Sequence, residues 1–316
     1  MLLTTGCGSS NDQRSEGTAG PTRVLEERQV GLRLIDLRIR SQALETSANV
    51  RLMTPKGWSS RPGGRRRPVL YLLHGCCDTY ESWTRSTDIE ELPELRDVLV
   101  VMPEGGPVGF YSNWLGSRGR RGPAWETFHL SELRRILERD YGAGTRRVIA
   151  GQSMGGLGAM GYSARHPGLF LGAASFSGLL HPLDDTDFLL GLFSRYTPDP
   201  LAIWGDPARQ RDVWSSHDPT TLAARLRRTQ LFVSAGDGRP GPFDPADAEP
   251  DRIEETVLRE SRAFVGRLRR LRLRAQVDFY GPGAHDWPYW ERELRRALPA
   301  LLGALRLQRR ARSAAS

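Results

Sequence analysis

The chain has 316 residues, 26% of them charged, with a net charge of +8 and a pI near 9.9, and it is long enough to bury the core of one large α/β domain. Lys56 is the single lysine among 45 basic side chains, and the arginine-rich stretches at 65–67, 118–121 and 306–312 accompany no zinc-finger spacing, RNP motif or heptad repeat, so the charge reads as solvated surface and not as a nucleic-acid interface. No run of about 18 apolar residues exists, which excludes a membrane-spanning helix, and no cysteine and histidine spacing suggests zinc, so neither metal nor cofactor is expected.

The start, Met1-Leu2-Leu3-Thr4-Thr5-Gly6-Cys7 followed by a polar run to Pro21, resembles the end of a bacterial lipoprotein signal and a flexible tether, although the charged and long apolar parts of such a signal are missing. Two readings stay open: a gene start upstream with a lipid anchor at Cys7, or an ordinary tail cysteine. Next, Leu32 to Ile39 and Asn49 to Met53 alternate apolar and polar residues, as an antiparallel pair at a sheet edge would. Four near-continuous apolar runs follow, Pro68 to Leu73, Val98 to Met102, Arg147 to Ala150 and Leu171 to Phe176. Strands covered on both faces look like this, so a mostly parallel sheet with helices on each side is expected.

Cys76 and Cys77 follow the first of these runs. Neighbouring cysteines bridge only in a strained vicinal ring, so two reduced, semi-buried thiols beside a turn are expected. Thr127 to Tyr141 has helical spacing. Asp184 to Pro219 has weak periodicity and is expected to cover the carboxyl edge of the sheet. Gln230 to Ala235 and Gln276 to Tyr280 read as two more strands, with an amphipathic helix from Asp251 to Leu271 between them, and Leu294 to Leu305 as a closing helix.

Between the third apolar run and a small-residue helix stands Gly151-Gln152-Ser153-Met154-Gly155, which fits G-x-S-x-G, the turn that lifts a serine above the strand ends. Glycines flank that serine because side chains there would strike the neighbouring strand and helix. A serine hydroxyl needs a base, and the base needs an orienting acid. Chain order in this arrangement is nucleophile, acid, histidine. His285, in a glycine-rich loop after the last strand, is the base; His166 sits at a helix end, and His181 and His217 precede the expected acid. Asp237, just after the strand Leu231 to Ala235, is the acid that position alone favours, with Glu254 on the next helix as the competitor. Two backbone donors are needed for the oxyanion: the N–H of Met154 and, from the loop after the first apolar run, that of Cys76.

The segments "YLLHGCCDTYESW", "VVMPEGGPVGFYSNW", "AWETF", "GQSMGGLGAM", "ASFSGLLHP", "IWGDP" and "AHDWPYW" resemble, in order, those of the antigen 85 mycolyltransferases and their esterase relatives among the α/β-hydrolases. The resemblance runs from about Leu32 to Leu301 and implies an α/β-hydrolase fold; the domain is expected over 23–305, with 1–22, read from composition, a signal remnant or tether and 306–316 a basic tail. It implies Ser153 as nucleophile, His285 as base, and Glu254, within "RIEETVLRESRAF", as acid in place of Asp237. It implies Cys76 and Met154 as oxyanion donors and Ser177 near the triad, where it could bind substrate. Trp287, Tyr289 and Trp290 are candidates for an acceptor platform. His74 and Cys77 stand where those transferases carry an aspartate and an arginine that helps to hold the sugar, so the resemblance supports acyl-enzyme chemistry better than transfer to trehalose. The expectation is a secreted or envelope serine esterase or acyltransferase acting on lipid or acyl-sugar esters, with water, a sugar or glycerol as acceptor. The alternative is a non-catalytic envelope or matrix-binding protein on the same scaffold.

Overall fold

In the computed structural model the described residues are 20–58, 66–117 and 119–313; Cys7, and with it the lipid-anchor reading, lies outside them. The strands are β1 (Arg23–Gln29), β2 (Leu34–Ser41), β3 (Thr46–Met53), β4 (Arg67–Leu73), β5 (Leu99–Pro103), β6 (Ala143–Gln152), β7 (Gly172–Phe176), β8 (Gln230–Ala235) and β9 (Gln276–Phe279). They join in the order β1-β2-β3-β5-β4-β6-β7-β8-β9. Pairing is antiparallel from β1 to β5 and parallel from β5 to β9.

The apolar runs are continuous because alternate side chains serve two cores. On β4, Val69, Tyr71 and Leu73 enter one core with the helix Met154–Arg165, while Leu70 and Leu72 enter the other with Leu294, Leu298 and Leu301 of the closing helix. Each face is thereby sealed from water, as a parallel sheet requires.

Three elements differ from the sequence reading. β1 has no counterpart in it: RVLEERQ is almost wholly exposed, so it carries no apolar signal, and its charges suit an edge strand that must not recruit another chain. The closing helix is longer than expected, Trp287–Ser313, passing through Pro299 and into the stretch read as a basic tail. The covering segment is built from short helices, including Thr186–Ser194, Leu201–Trp204 and Arg211–Ser216. Elements this short show little periodicity, and they hold together through aromatic contacts instead. Phe193 meets Phe110 at 4.7 Å and Trp204 at 5.7 Å, and Trp204 meets Trp214 at 5.2 Å between ring centroids.

Candidate active site

Ser153 sits where β6 gives way to the helix Met154–Arg165, with φ 52° and ψ −120°. A non-glycine residue held in such a conformation costs about 1–3 kcal/mol. The surroundings enforce it. A Cβ on Gly151 would lie 2.3 Å from the Gly155 carbonyl oxygen, and one on Gly155 would lie 2.4 Å from that of Leu73. The Ser153 N–H donates to Phe176 O at 2.9 Å, pinning the turn to β7, while the side chain looks into a cavity of about 580 Å³ at the carboxyl edge of the sheet.

His285 lines the same cavity. Its Nδ1 lies 2.8 Å from Glu254 Oε2, and a carboxylate can only accept, so Nδ1 carries the proton and Nε2 is left as the free acceptor. No hydrogen bond joins Ser153 Oγ to His285 among the described residues; such contacts commonly tighten only when substrate is bound. The ring also stands edge-on to Trp290, with centroids 5.0 Å apart. Glu254 is fully buried near the start of the helix Arg252–Arg270. Its other oxygen, Oε1, accepts from Ser177 Oγ at 2.8 Å and from the Gly236 N–H at 2.6 Å. Burial of this charge is thus matched by fixed donors at both oxygens.

Asp237 does not meet His285. Its carboxylate turns outward to Arg239, at 2.6 Å from Nη2, and that hydrogen bond holds it below the ordinary aspartate range. The acid position after β8 is instead reached by Glu254 leaning back from the next helix. Ser177 lies beside Glu254, as the resemblance implies: it is buried, has φ 47°, gives its hydroxyl to Glu254, and is not among the residues that line the cavity.

The N–H groups of Met154, next to Ser153 in the chain, and of Cys76, on the cavity wall, have no acceptor among the described residues. Cys76 and Cys77 are bonded to each other as a disulfide, contrary to the expected pair of thiols. The vicinal ring is accommodated because Cys77 takes a positive φ of 69° in a turn that is also held by the Cys77 N–H to Pro107 O bond of 2.9 Å. Behind the turn, Gln152 packs against Gly75, where a Cβ would come within 2.3 Å of Gln152 Oε1. His74, beside it, is buried and structural: Nδ1 lies 2.7 Å from Gly75 O, and Nε2 accepts the Gly105 N–H at 2.8 Å.

The rest of the cavity wall is mixed: Phe188, Leu192 and Tyr196 of the covering segment, with Ile253, Trp287 and Trp290, supply its apolar part, and Asp78, Asp187, Arg195 and Asp286 supply charged groups. Of the three aromatic candidates, Trp287 and Trp290 line it. Tyr289 does not: it stacks on Tyr280 and donates to Asp244 at 2.6 Å. The remaining late histidines are engaged elsewhere, His166 with Glu126, His181 with Asp218, and His217 stacked on Trp204. The sequence places Asp251 only at the start of the amphipathic helix, where Asp251-x-x-Glu254 is a helix-start signature; its contact with His285 is not foreseen. Its carboxylate accepts from the Ile253, Glu254 and His285 N–H groups.

The Esterase family profile matches residues 41–301. The chain is 33% identical over 262 residues to the diacylglycerol acyltransferase/mycolyltransferase Ag85B of Mycobacterium avium, covering 77% of each protein. It is 31% identical to the esterase Rv1288 of Mycobacterium tuberculosis, over 81% of this chain and 56% of that protein. Among solved structures it is similar to MPT51 (FbpC1) of Mycobacterium tuberculosis, with a TM-score of 0.66 and 26% identity over 84% of this chain and 96% of that one. With this shared α/β architecture and a serine raised at the sheet edge, the chain belongs to the Esterase family and is a serine esterase or acyltransferase.

Proposed function

We propose that the cavity runs acyl transfer through a covalent intermediate on Ser153. The observation that carries this reading is the 2.8 Å bond from His285 Nδ1 to Glu254 Oε2, which leaves Nε2 as a base on the cavity that Ser153 also lines. Nε2 takes the hydroxyl proton as Oγ attacks the ester carbonyl, and the N–H groups of Cys76 and Met154 receive the oxyanion. The protonated imidazole then gives its proton to the departing alcohol, and the acyl group stays on Oγ. Glu254 holds the ring in the working tautomer and stabilises the imidazolium. In the second half, water or a sugar or glycerol hydroxyl gives its proton to Nε2 as it attacks the acyl carbonyl; the Oγ–acyl bond then breaks, Nε2 returns the proton to Oγ, and free acid or a new ester leaves.

Lipid or acyl-sugar esters are the proposed donors, at the cell envelope. The apolar wall of Phe188, Leu192, Trp287 and Trp290 supports an acyl chain, and a relative is named diacylglycerol acyltransferase/mycolyltransferase. The test is to incubate the protein with an activated medium-chain acyl ester, with and without glycerol or trehalose, and to read the products by mass spectrometry. Free acid with water and acylated polyol with the acceptors are the expected products, and an acyl mass is expected on the Ser153 peptide at early times. Turnover retained in Ser153→Ala would remove the proposal.

A further inference from the structure

Asp251 stands just before the helix Arg252–Arg270 and uses both of its carboxylate oxygens. Oδ1 accepts the Ile253 N–H at 2.9 Å and the Glu254 N–H at 3.1 Å, which is the ordinary work of a helix N-cap. Oδ2 does something a cap does not need: it accepts the backbone N–H of His285 at 2.8 Å, across 34 residues of sequence. The Asp251 N–H is in turn fixed to Gly238 O at 2.7 Å. One side chain thus ties the turn that carries Glu254 to the loop that carries His285.

That loop runs Gly281-Pro282-Gly283-Ala284 before the histidine, with Gly281 at φ 79°. Its glycines are held to the turn after β8, by the Asp237 N–H to Gly281 O at 2.8 Å, the Gly238 N–H to Gly283 O at 3.1 Å and the Gly283 N–H to Arg239 O at 2.7 Å, but the bond that reaches the His285 backbone itself is the one from Asp251. Glu254 fixes the ring at Nδ1 and Trp290 packs perpendicular to it, but neither fixes the backbone from which the ring hangs. We infer that Asp251 is a positioning residue for the reaction proposed above: a two-oxygen clamp whose outer oxygen sets the His285 backbone at the height where Glu254 and the ring meet. The inference rests on that proposed function, since it concerns how the base is aimed.

Separating the cap from the clamp makes the test. Asp251→Ser keeps a good N-cap but has one oxygen and a shorter reach. Asp251→Asn keeps Oδ1 and turns an amide N–H toward the His285 N–H. Asp251→Ala loses both functions. With the purified full chain and a soluble acyl ester, Asp251→Ser and Asp251→Asn are expected to lose about 10- to 100-fold in kcat, the scale of a 1 Å misplacement. KM stays within about twofold, because the apolar wall is untouched, and Tm stays well above that of Asp251→Ala. The decisive readout is a double-mutant cycle. In a Glu254→Gln background, Asp251→Ser costs far less than in the wild type, because the alignment it serves is already lost. A purely structural residue would cost the same in both backgrounds.

Wild-type kcat in Asp251→Ser, equal losses in the two backgrounds, or a Tm as low as that of Asp251→Ala would each overturn the inference. If Glu254→Gln is itself as active as the wild type, the proposed function fails. If Glu254→Gln is crippled while Asp251→Ser is not, only the clamp fails.

Discussion

The helix Arg252–Arg270 serves two histidines through two buried carboxylates, and the contrast between them shows what makes a site. Near its start, Glu254 Oε2 holds His285 Nδ1 at 2.8 Å; six residues on, Glu260 Oε2 accepts the His181 N–H at 2.9 Å, while His181 Nδ1 lies 2.7 Å from buried Asp218. As isolated pairs, Glu254–His285 and Asp218–His181 look alike. They differ in what lies beyond the ring: His285 opens on a cavity that holds Ser153, and His181 is not on its wall. The two carboxylates of the helix differ as well. Glu254 and Asp218 both have donors at each oxygen, whereas Glu260, which holds only the His181 backbone, has no partner for Oε1 among the described residues, and burial pushes its carboxyl up to about 8. A carboxylate beside a histidine is therefore a structural motif until a nucleophile and a space for substrate are added.

The largest expected effects break the first pair. Ser153→Ala lowers kcat by about 10⁵-fold or more, and Glu254→Gln by about 10⁴-fold, both read by initial rates on a soluble ester. Asp237→Asn, by contrast, stays within about twofold, since that side chain is engaged with Arg239. Next comes the cavity wall at Cys76. Opening the Cys76–Cys77 bond with a thiol reductant frees the turn that presents the Cys76 N–H, and kcat is expected to fall about tenfold, less than the 10²- to 10³-fold of an oxyanion donor lost outright. A double Cys→Ser variant should not respond to reductant at all.

Breaking the second pair is expected to act on stability and not on turnover. Asp218→Asn replaces the charged acceptor that raises the His181 pKa with a neutral amide and should lower Tm while leaving kcat within about twofold. The smallest effect is in the pH dependence. His181 and Glu260 both bind protons more tightly folded than unfolded, so the folded state holds the extra protons and stability falls as pH rises. For Glu260 that loss runs from its ordinary value of 4.5 to about 8; for His181 it begins near 6.5 and ends at its raised folded value. Glu260→Gln is expected to flatten the decline of Tm between pH 5 and 8, measured by calorimetry.

The central strands were legible because β4 to β8 are buried on both faces and therefore unbroken in apolar character, and the serine was legible because its turn demands glycine at fixed positions. What escaped is long-range or lacks periodicity. β1 is charged, the covering helices are short, and the last helix continues past Leu305 into arginine-rich sequence that reads as solvated tail. Position after β8 pointed to Asp237, because local reading cannot show that a glutamate on the following helix leans back under Gly236. The engagement of Ser177 with Glu254 joins residues 77 apart, which no local pattern records. Adjacent cysteines argue against a bridge until the left-handed turn at Cys77 is seen.

The central claim is that Ser153 alone is made reactive, by the imidazole that Glu254 aims at it. It is tested most directly by fluorophosphonate labelling of the folded protein, with the adduct mapped by peptide mass spectrometry. The account predicts one adduct, on Ser153, formed rapidly in the wild type, much more slowly in Glu254→Gln and at the wild-type rate in Asp218→Asn. No adduct on the folded wild-type protein, or labelling that persists in Ser153→Ala, would contradict it.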